Sequence, residues 1–267
     1  MKKYELTAEF IEQWGKKLFR IKALISFGSV EAGELGGYVE KEDNLAQDGD
    51  AWVYGDAWVC GNAEVYGNAK VCDDAWVYGD AKVYGDAKVY GNAKVCDDAW
   101  VYGDARVYGN AKVCGNARVC GNAWVYGDAW VCDDAWVYGD AWVYGDAWVY
   151  GDAWVYGNAE VYGNAEVYGN AKVCDDARVC GNADCLLIGR IGSRFSFTTF
   201  FKNKDKGITV SCGCFLGTIA EFRAKVTDTH GNNKHAKMYN LAADMAELQI
   251  LGEEYFDKLN TNKSEPF

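Results

Sequence analysis

Apolar and polar positions repeat every six residues from 51 to 183, which is neither the 3.6 of a helix nor a simple alternation. The unit is A-x-V-[Y/C]-[G/D]-[D/N]. Alanine holds its place 23 times from Ala51 to Ala183, and valine 22 times from Val53 to Val179. Ala and Val sit two apart, so both face one side of an extended segment. The neighbours of Val, such as Trp52 and Tyr54, face the other side. Gly-Asp or Gly-Asn follows, and these residues tolerate tight-turn and left-handed backbone. Each hexad therefore predicts a short strand and a corner. Six residues cannot bury an Ala-Val face alone, but stacked coils can, with each Val over the next. The repeat holds no proline, which would break such a ladder.

This repeat resembles the hexapeptide-repeat left-handed parallel β-helix family. There an aliphatic residue is followed by three positions, a small residue and one more. Val53-Tyr54-Gly55-Asp56-Ala57-Trp58 fits that frame. The resemblance covers about half the chain and implies a left-handed prism with three hexads per triangular coil. The 22 hexads then make roughly 7 coils, on the order of 35 Å long. One departure stands out. The family carries small or polar residues beside the aliphatic one, and here that position is Tyr or Cys in every hexad.

Residues 18 apart should stack on one face. One column reads Tyr54, Cys72, Tyr90, Tyr108, Tyr126, Tyr144, Tyr162, Cys180. A second runs Cys60, Tyr78, Cys96, Cys114, Cys132, Tyr150, Tyr168, and a third from Tyr66 to Cys174. The position before Val is Trp, Lys, Arg or Glu. Trp124, Trp130, Trp136, Trp142, Trp148 and Trp154 occupy consecutive hexads and should wrap two coils on all three faces. Two readings compete. Aromatic ladders stiffen exposed strands. Large exposed aromatic surfaces also mark partner contacts, which makes these six tryptophans the candidate binding residues.

Charge and cysteine narrow the chemistry. The chain has 267 residues and a net charge of −12. Residues 50–184 hold 21 acidic and 9 basic residues, whereas 185–267 hold 9 and 11. An acidic rod repels phosphate backbones, so no DNA or RNA binding is expected. Solubility explains the charge, with mimicry of nucleic acid or a corner calcium ladder as further readings; the calcium-binding nonapeptide motif is absent. The 11 cysteines read as free thiols, because stacked neighbours are too distant for good disulfides and no zinc spacing occurs. The expectation is no metal and no cofactor. Catalysis finds no support either. Residues 51–183 contain no histidine, the usual acid–base residue, and no loop interrupts the repeat to form a pocket. Residues 66–81 recur identically at 90–105. That offset is four hexads, so the copy lands on the next face and no single face is guarded.

The ends differ from the repeat. Residues 1–49 read as an N-terminal β cap, with strands at Lys3–Leu6 and Leu18–Ile21 around a turn at Trp14-Gly15. Residues 50–184 are the solenoid. Residues 185–267 read as a ββαα domain. Its hairpin spans Phe195–Lys202 and Ile208–Phe215, with Cys212 and Cys214 on one side of the strand. Thr218 to Glu221 has capping-box spacing, with a stripe of Ile219, Phe222 and Val226. His230-Gly231-Asn232 ends that helix. A second runs from about Lys234 to Leu251, with Met238, Leu241, Met245 and Leu248 on one side. His230 and His235 read as surface residues rather than ligands.

The whole chain resembles bacteriophage and prophage proteins of Gram-positive gut bacteria that are often labelled polymer-forming or cytoskeletal. The matching features are G-E-L-G-G-Y-V at Gly33–Val39, the G-[DN]-A-x-V repeat, and a T-T-F-F…C-G-C-F…E-F…T-H-G-N-N-K tail. The resemblance implies a non-enzymatic binding or scaffold protein that engages a host or viral protein, or sequesters a small signalling nucleotide, in takeover or anti-defence. A self-assembling filament is the alternative. A hexapeptide acyltransferase-like enzyme is a further one, lacking the catalytic histidine. MKKYELTAEF has no apolar signal region and no apolar run spans a membrane, so the expected site is the cytoplasm, of the host if the protein is phage-encoded. Homo-oligomers are expected, trimers among them.

Overall fold

The computed structural model describes residues 2–252. Strands β1 (Tyr4–Gln13) and β2 (Lys16–Ala23) form an antiparallel hairpin, and β3 (Leu35–Val39) pairs with β2. The hexads then supply twenty-two two-residue strands, β4 (Trp52–Val53) to β25 (Arg178–Val179). They stack as three parallel sheets in which residues 18 apart are partners: Val53 with Val71, Val59 with Val77, Val65 with Val83. The inward Ala and Val of this stack are at most 1% exposed. The left side of the pattern is thus a dry Ala-Val core, and the β-solenoid expected from the hexad is present.

The solenoid has about 8 turns rather than 7. The extra turn comes from the cap. Tyr38 and Val39 pair in parallel with Trp58 and Val59, and Leu45 bridges to Val65. Val39 and Leu45 fill the Val positions of a degenerate first coil, both at most 1% exposed. Their offset to the next coil is 20 residues instead of 18, so the period hides them. Gly37 is required there, since a Cβ would lie 2.3 Å from the Ala57 carbonyl.

Most ladder bonds run toward the following coil, and the Val N–H points back, as the parallel register of Trp52 with Lys70 and Val53 with Val71 requires. Asn92, Lys94 and Cys96 donate their N–H groups to the carbonyls of Gly109, Ala111 and Val113, at 2.8, 2.9 and 3.0 Å. Other hexads repeat the bonds at the Lys94 and Cys96 positions toward the following coil, and the corner bond recurs at some of them, as from Asn110 to Gly127. The corners need positive φ, as at Gly103 (φ 70°), and at four of them Asp stands instead: Asp73, Asp97, Asp133 and Asp175, with φ of 54–61°. Three of these carboxylates accept the N–H of the corner glycine one coil on: Asp73 from Gly91, Asp97 from Gly115, Asp133 from Gly151.

This bias leaves mainly carbonyls open at the start and mainly N–H groups at the finish, and the two caps differ accordingly. At the start, the buried Lys3 ammonium donates to the carbonyls of Asp48, Gly49 and Ala51 at 3.2, 3.4 and 2.9 Å. The buried Tyr4 hydroxyl lies 2.8 Å from the carbonyls of Glu42 and Leu45. Trp52, at an outward position, is fully buried because Tyr4 and Phe27 of the cap pack edge-on against it. At the finish, acceptors take over. Thr199 Oγ1 accepts from Lys172 N–H, Asn182 Oδ1 from Glu166 N–H and Asp184 Oδ2 from Cys180 N–H, at 3.0, 2.8 and 3.0 Å.

The tail corrects the ββαα expectation to ββββαα. Strands β26 (Cys185–Ile191), β27 (Ser196–Lys202), β28 (Ile208–Cys212) and β29 (Phe215–Thr218) form one antiparallel sheet in chain order. Gly213 (φ 61°) turns the chain sharply, which splits Ile208–Phe215 into two strands and puts Cys214 in the turn rather than beside Cys212. Helix α1 (Ile219–His230) begins at the Thr218–Glu221 capping box and ends at Gly231. Helix α2 (Lys234–Leu251) packs its small side, Ala236, Ala242, Ala243 and Ala246, with Tyr239 and Ile250. Its Met238, Leu241, Met245 and Leu248 do share a side, and that side faces solvent, at 40, 63, 56 and 42% exposure. Alanines let the helix approach the sheet closely, and this decides which side turns in. The tail expected to 267 is described only to 252; residues 253–267 lie outside the described residues.

Two tests follow from corners and caps. Gly103→Ala places a Cβ 3.0 Å from Gly121 N and forces alanine into the left-handed region, which costs roughly 1–2 kcal/mol in conformation alone. Urea unfolding should show at least that loss. Lys3 provides the second. Burial lowers its ammonium from an ordinary 10.5 to about 8. The unfolded chain holds the proton more tightly, so this group adds stability as pH rises from 8 toward 10.5 and loses it as pH falls through 8. Buried phenols and thiols shift the other way. The effect is therefore read as the difference in melting temperature between wild type and Lys3→Met, which should widen over that window; parallel curves would refute it.

Candidate functional site

The outward positions form ruled columns because each coil lies one β-spacing from the next. Tyr90, Tyr108, Tyr126, Tyr144 and Tyr162 stack in a row with centroids 4.8–5.1 Å apart and rings within 5° of parallel. Tyr66, Tyr84 and Tyr102 do the same on another face. Desolvation raises the pKa of these phenols, that of Tyr102 to about 12. Cys72 is pushed up to about 11 by burial. These groups are neutral near pH 7, so they offer flat, polar-edged surface rather than nucleophiles.

The six tryptophans fall where the 18-residue columns put them. They make three stacked pairs, one per face, all at the same two turns. Trp124 and Trp142 lie 5.2 Å apart at 8°, Trp130 and Trp148 4.9 Å at 5°, and Trp136 and Trp154 5.5 Å at 11°. A cation sits one turn before each pair: Arg106 on Trp124, Lys112 on Trp130, Arg118 on Trp136, at 4.7, 4.9 and 4.8 Å from the ring centre. Cation–π contacts of this kind hold an indole flat in its column, and Lys172 covers the far face of Trp154 at 4.7 Å. Trp130, Trp142 and Trp148 are 36–42% exposed. The other three are half-buried. Not every Trp belongs to this band. Trp58 and Trp76 pack edge-on beneath exposed Trp14 at the tip of the β1–β2 turn.

The corners carry the acid. Asn62 donates to Asp80, Asn68 to Asp86, Asn110 to Asp128, Asn116 to Asp134 and Asn122 to Asp140, at 2.9–3.1 Å. Asparagine thus separates some carboxylates that stacking would otherwise set face to face. The cations beneath the Trp pairs are 18 residues back and were legible by the same column rule, yet the six tryptophans alone do not reveal them.

The tail holds a separate cavity of about 230 Å³, with Phe215, Phe222 and Tyr239 on its apolar side and Arg194, Lys225 and His230 on its polar side. His230 and His235 are half-buried rather than on the open surface, with ring centres 5.9 Å apart, and His230 stacks on Tyr239. Cys212 accepts a hydrogen bond from Thr198 at 3.1 Å. All eleven cysteines are free thiols. Among the described residues no helix is long and apolar enough to cross a membrane.

With this geometry in view, one comparison is informative. The middle of the solenoid is similar to the YdcK beta solenoid repeat. The matching segments are residues 99–115, 111–127 and 117–133, which include the first tryptophans of the band. A search of curated proteins gives no match. The likeness concerns the coil and supports the β-solenoid; it carries no activity.

Proposed function

We propose that the protein is a non-enzymatic binding scaffold whose solenoid is a rigid rod and whose tryptophan band holds a protein partner. The observation that carries this reading is the set of three flat Trp pairs, each seated on a cation, at one height around the rod. Stacking explains why the rings are parallel. It does not require that indoles, rather than the lysines used in neighbouring turns, fill all six positions. Apolar aromatic surface beside charged residues is the composition of protein contact sites. The resemblance of the Gly33–Val39 lead-in and the tail to phage proteins supports a host or viral target, met in the host cytoplasm. Filament formation is disfavoured because both ends of the ladder are filled by side chains of this chain.

A second reading rests on the tail cavity. Three basic residues, three aromatic rings and no lining carboxylate suit a small anionic ligand with a flat ring, such as a nucleotide.

The self-association expected of this protein is assigned to α2. Met238, Leu241, Met245 and Leu248 follow a-d-a-d heptad spacing, which a like helix fills. The tail is the part of the chain where acid does not exceed base, so two copies approach there without the repulsion of the rods.

Two experiments test these readings. Trp130→Lys, Trp142→Lys and Trp148→Lys are combined in one variant, since Lys94 and Lys112 already occupy that position in the fold. Wild type should retain a partner from host cells that the variant loses while melting at a similar temperature. Identical captured sets would sink the band. Extraction of the same native protein should release a nucleotide only if the cavity reading holds, with less from Arg194→Ala. For α2, light scattering should show an oligomer that becomes monomeric in Leu241→Lys/Met245→Lys. A wild type that is monomeric at high concentration would remove this interface.

A further inference from the structure

Three of the solenoid cysteines stand one above another. Cys96, Cys114 and Cys132 occupy successive turns of the same column, bounded by Tyr78 below and Tyr150 above. Elsewhere in the repeat a cysteine has no cysteine directly above or below it in its column. The Cys96 and Cys114 sulfurs and a carboxylate oxygen of Asp97 all lie within 4.8 Å of one another. Asp97 is fixed in place: its Oδ2 accepts from Gly115 N–H at 3.3 Å and lies 3.6 Å from the Cys96 sulfur. Cys96 is buried and Cys114 is half-buried, so one ligand is sheltered and the other reachable from outside.

The ladder decides which ion suits this pair. The turn spacing, read from the parallel tyrosine stacks, is 4.8–4.9 Å. Metal–thiolate bonds of about 2.3 Å put two sulfurs about 4.6 Å apart around a linear ion and about 3.8 Å apart around a tetrahedral one. Sulfurs carried one turn apart match the linear case. For zinc, the third donor is a single carboxylate, which leaves a tetrahedral ion incomplete. Soft monovalent ions of the Cu(I) class favour two thiolates in line.

We propose that Cys96 and Cys114 form a binding site for one soft monovalent d¹⁰ cation of the Cu(I) class, with the Asp97 carboxylate alongside. Binding exchanges protons for metal: two thiols and M⁺ give [RS–M–SR]⁻ and two H⁺. Lys112, on the outward side of the same turn, favours the negative charge that develops on Cys114. Cys132, one turn further on in the same column, is the alternative partner. Zinc-type sequence spacing misses the site because its ligands are 18 residues apart and meet only across turns.

The test uses the whole reduced protein and the metals themselves. Cu(I) is added anaerobically against a competing chelator, with Ag(I), Zn(II) and Cd(II) in parallel, and binding is read by native mass spectrometry and thiolate-to-metal absorption. Wild type should take one tightly held Cu(I) or Ag(I). Cys96→Ser and Cys114→Ser should weaken that first ion at least tenfold, and Cys120→Ser, a lone cysteine of another column, should not. Cys114→Tyr serves as the fold-safe variant, because tyrosine fills this position in most hexads, and it should also lose the ion. Unchanged binding in the Cys114 variants would overturn the proposal, as would Zn(II) or Cd(II) binding as tightly as Cu(I).

Discussion

The parallel ladder, with most of its N–H groups pointing toward the following coil, is the constraint on which the rest of this structure depends. It fixes the stacking distance, and the lumen enclosed by three sheets at that spacing is filled by Ala and Val in every regular coil. It also makes the two ends chemically unlike. An end of bare carbonyls needs donors, and Lys3 and Tyr4 supply them. An end of bare N–H groups needs acceptors, and Thr199, Asn182 and Asp184 supply those. Unfilled, the two ends would complement each other, and copies would add head to tail without closing. Filling both with side chains of the same chain removes that route. Burying the Lys3 ammonium is the cost, since desolvation lowers its affinity for the proton.

Outside the lumen, the same spacing copies each side chain onto its like. For tyrosine and tryptophan this is favourable, and rings stack nearly parallel. For carboxylates it is unfavourable. Asparagine placed one turn below aspartate converts part of that repulsion into a donated hydrogen bond, as from Asn122 to Asp140. For thiols the spacing is too long for a disulfide and suits a bridging ion. One geometric rule therefore has three outcomes, set by the chemistry of the residue that is repeated.

Much of this was legible in the sequence because a period needs no long-range information. The 18-residue columns, the capping box at Thr218 and the turns at Trp14-Gly15 and His230-Gly231 lie where local pattern puts them. The degenerate first turn was not legible, because Val39 and Leu45 sit 20 residues from their partners and break the register of the search. Strand β26 was hidden because the turn before it, Gly181-Asn182, reads as one more hexad corner. The outward side of α2 could not be chosen from pattern alone. Alanine and methionine both read as apolar, and only the sheet beneath shows that close approach selects the alanines. Lys3 as a cap was invisible because its acceptors are 45–48 residues away.

The tryptophan band shows how such a repeat acquires a surface. A duplicated block of four hexads does not return to its own face; it moves one face round, as residues 66–81 and 90–105 do. Variation by whole hexads therefore spreads a residue around the rod instead of building it up on one side. Six consecutive Trp hexads consequently give three equivalent patches at one height rather than one large patch. A partner that docks on one face meets nearly the same chemistry on the other two, so the rod is suited to several contacts at once. Gains from such multivalency come from effective concentration and not from the strength of any single patch. Under the proposed binding role, modest, half-exposed tryptophan pairs would act together where a single-site binder would need one deep pocket.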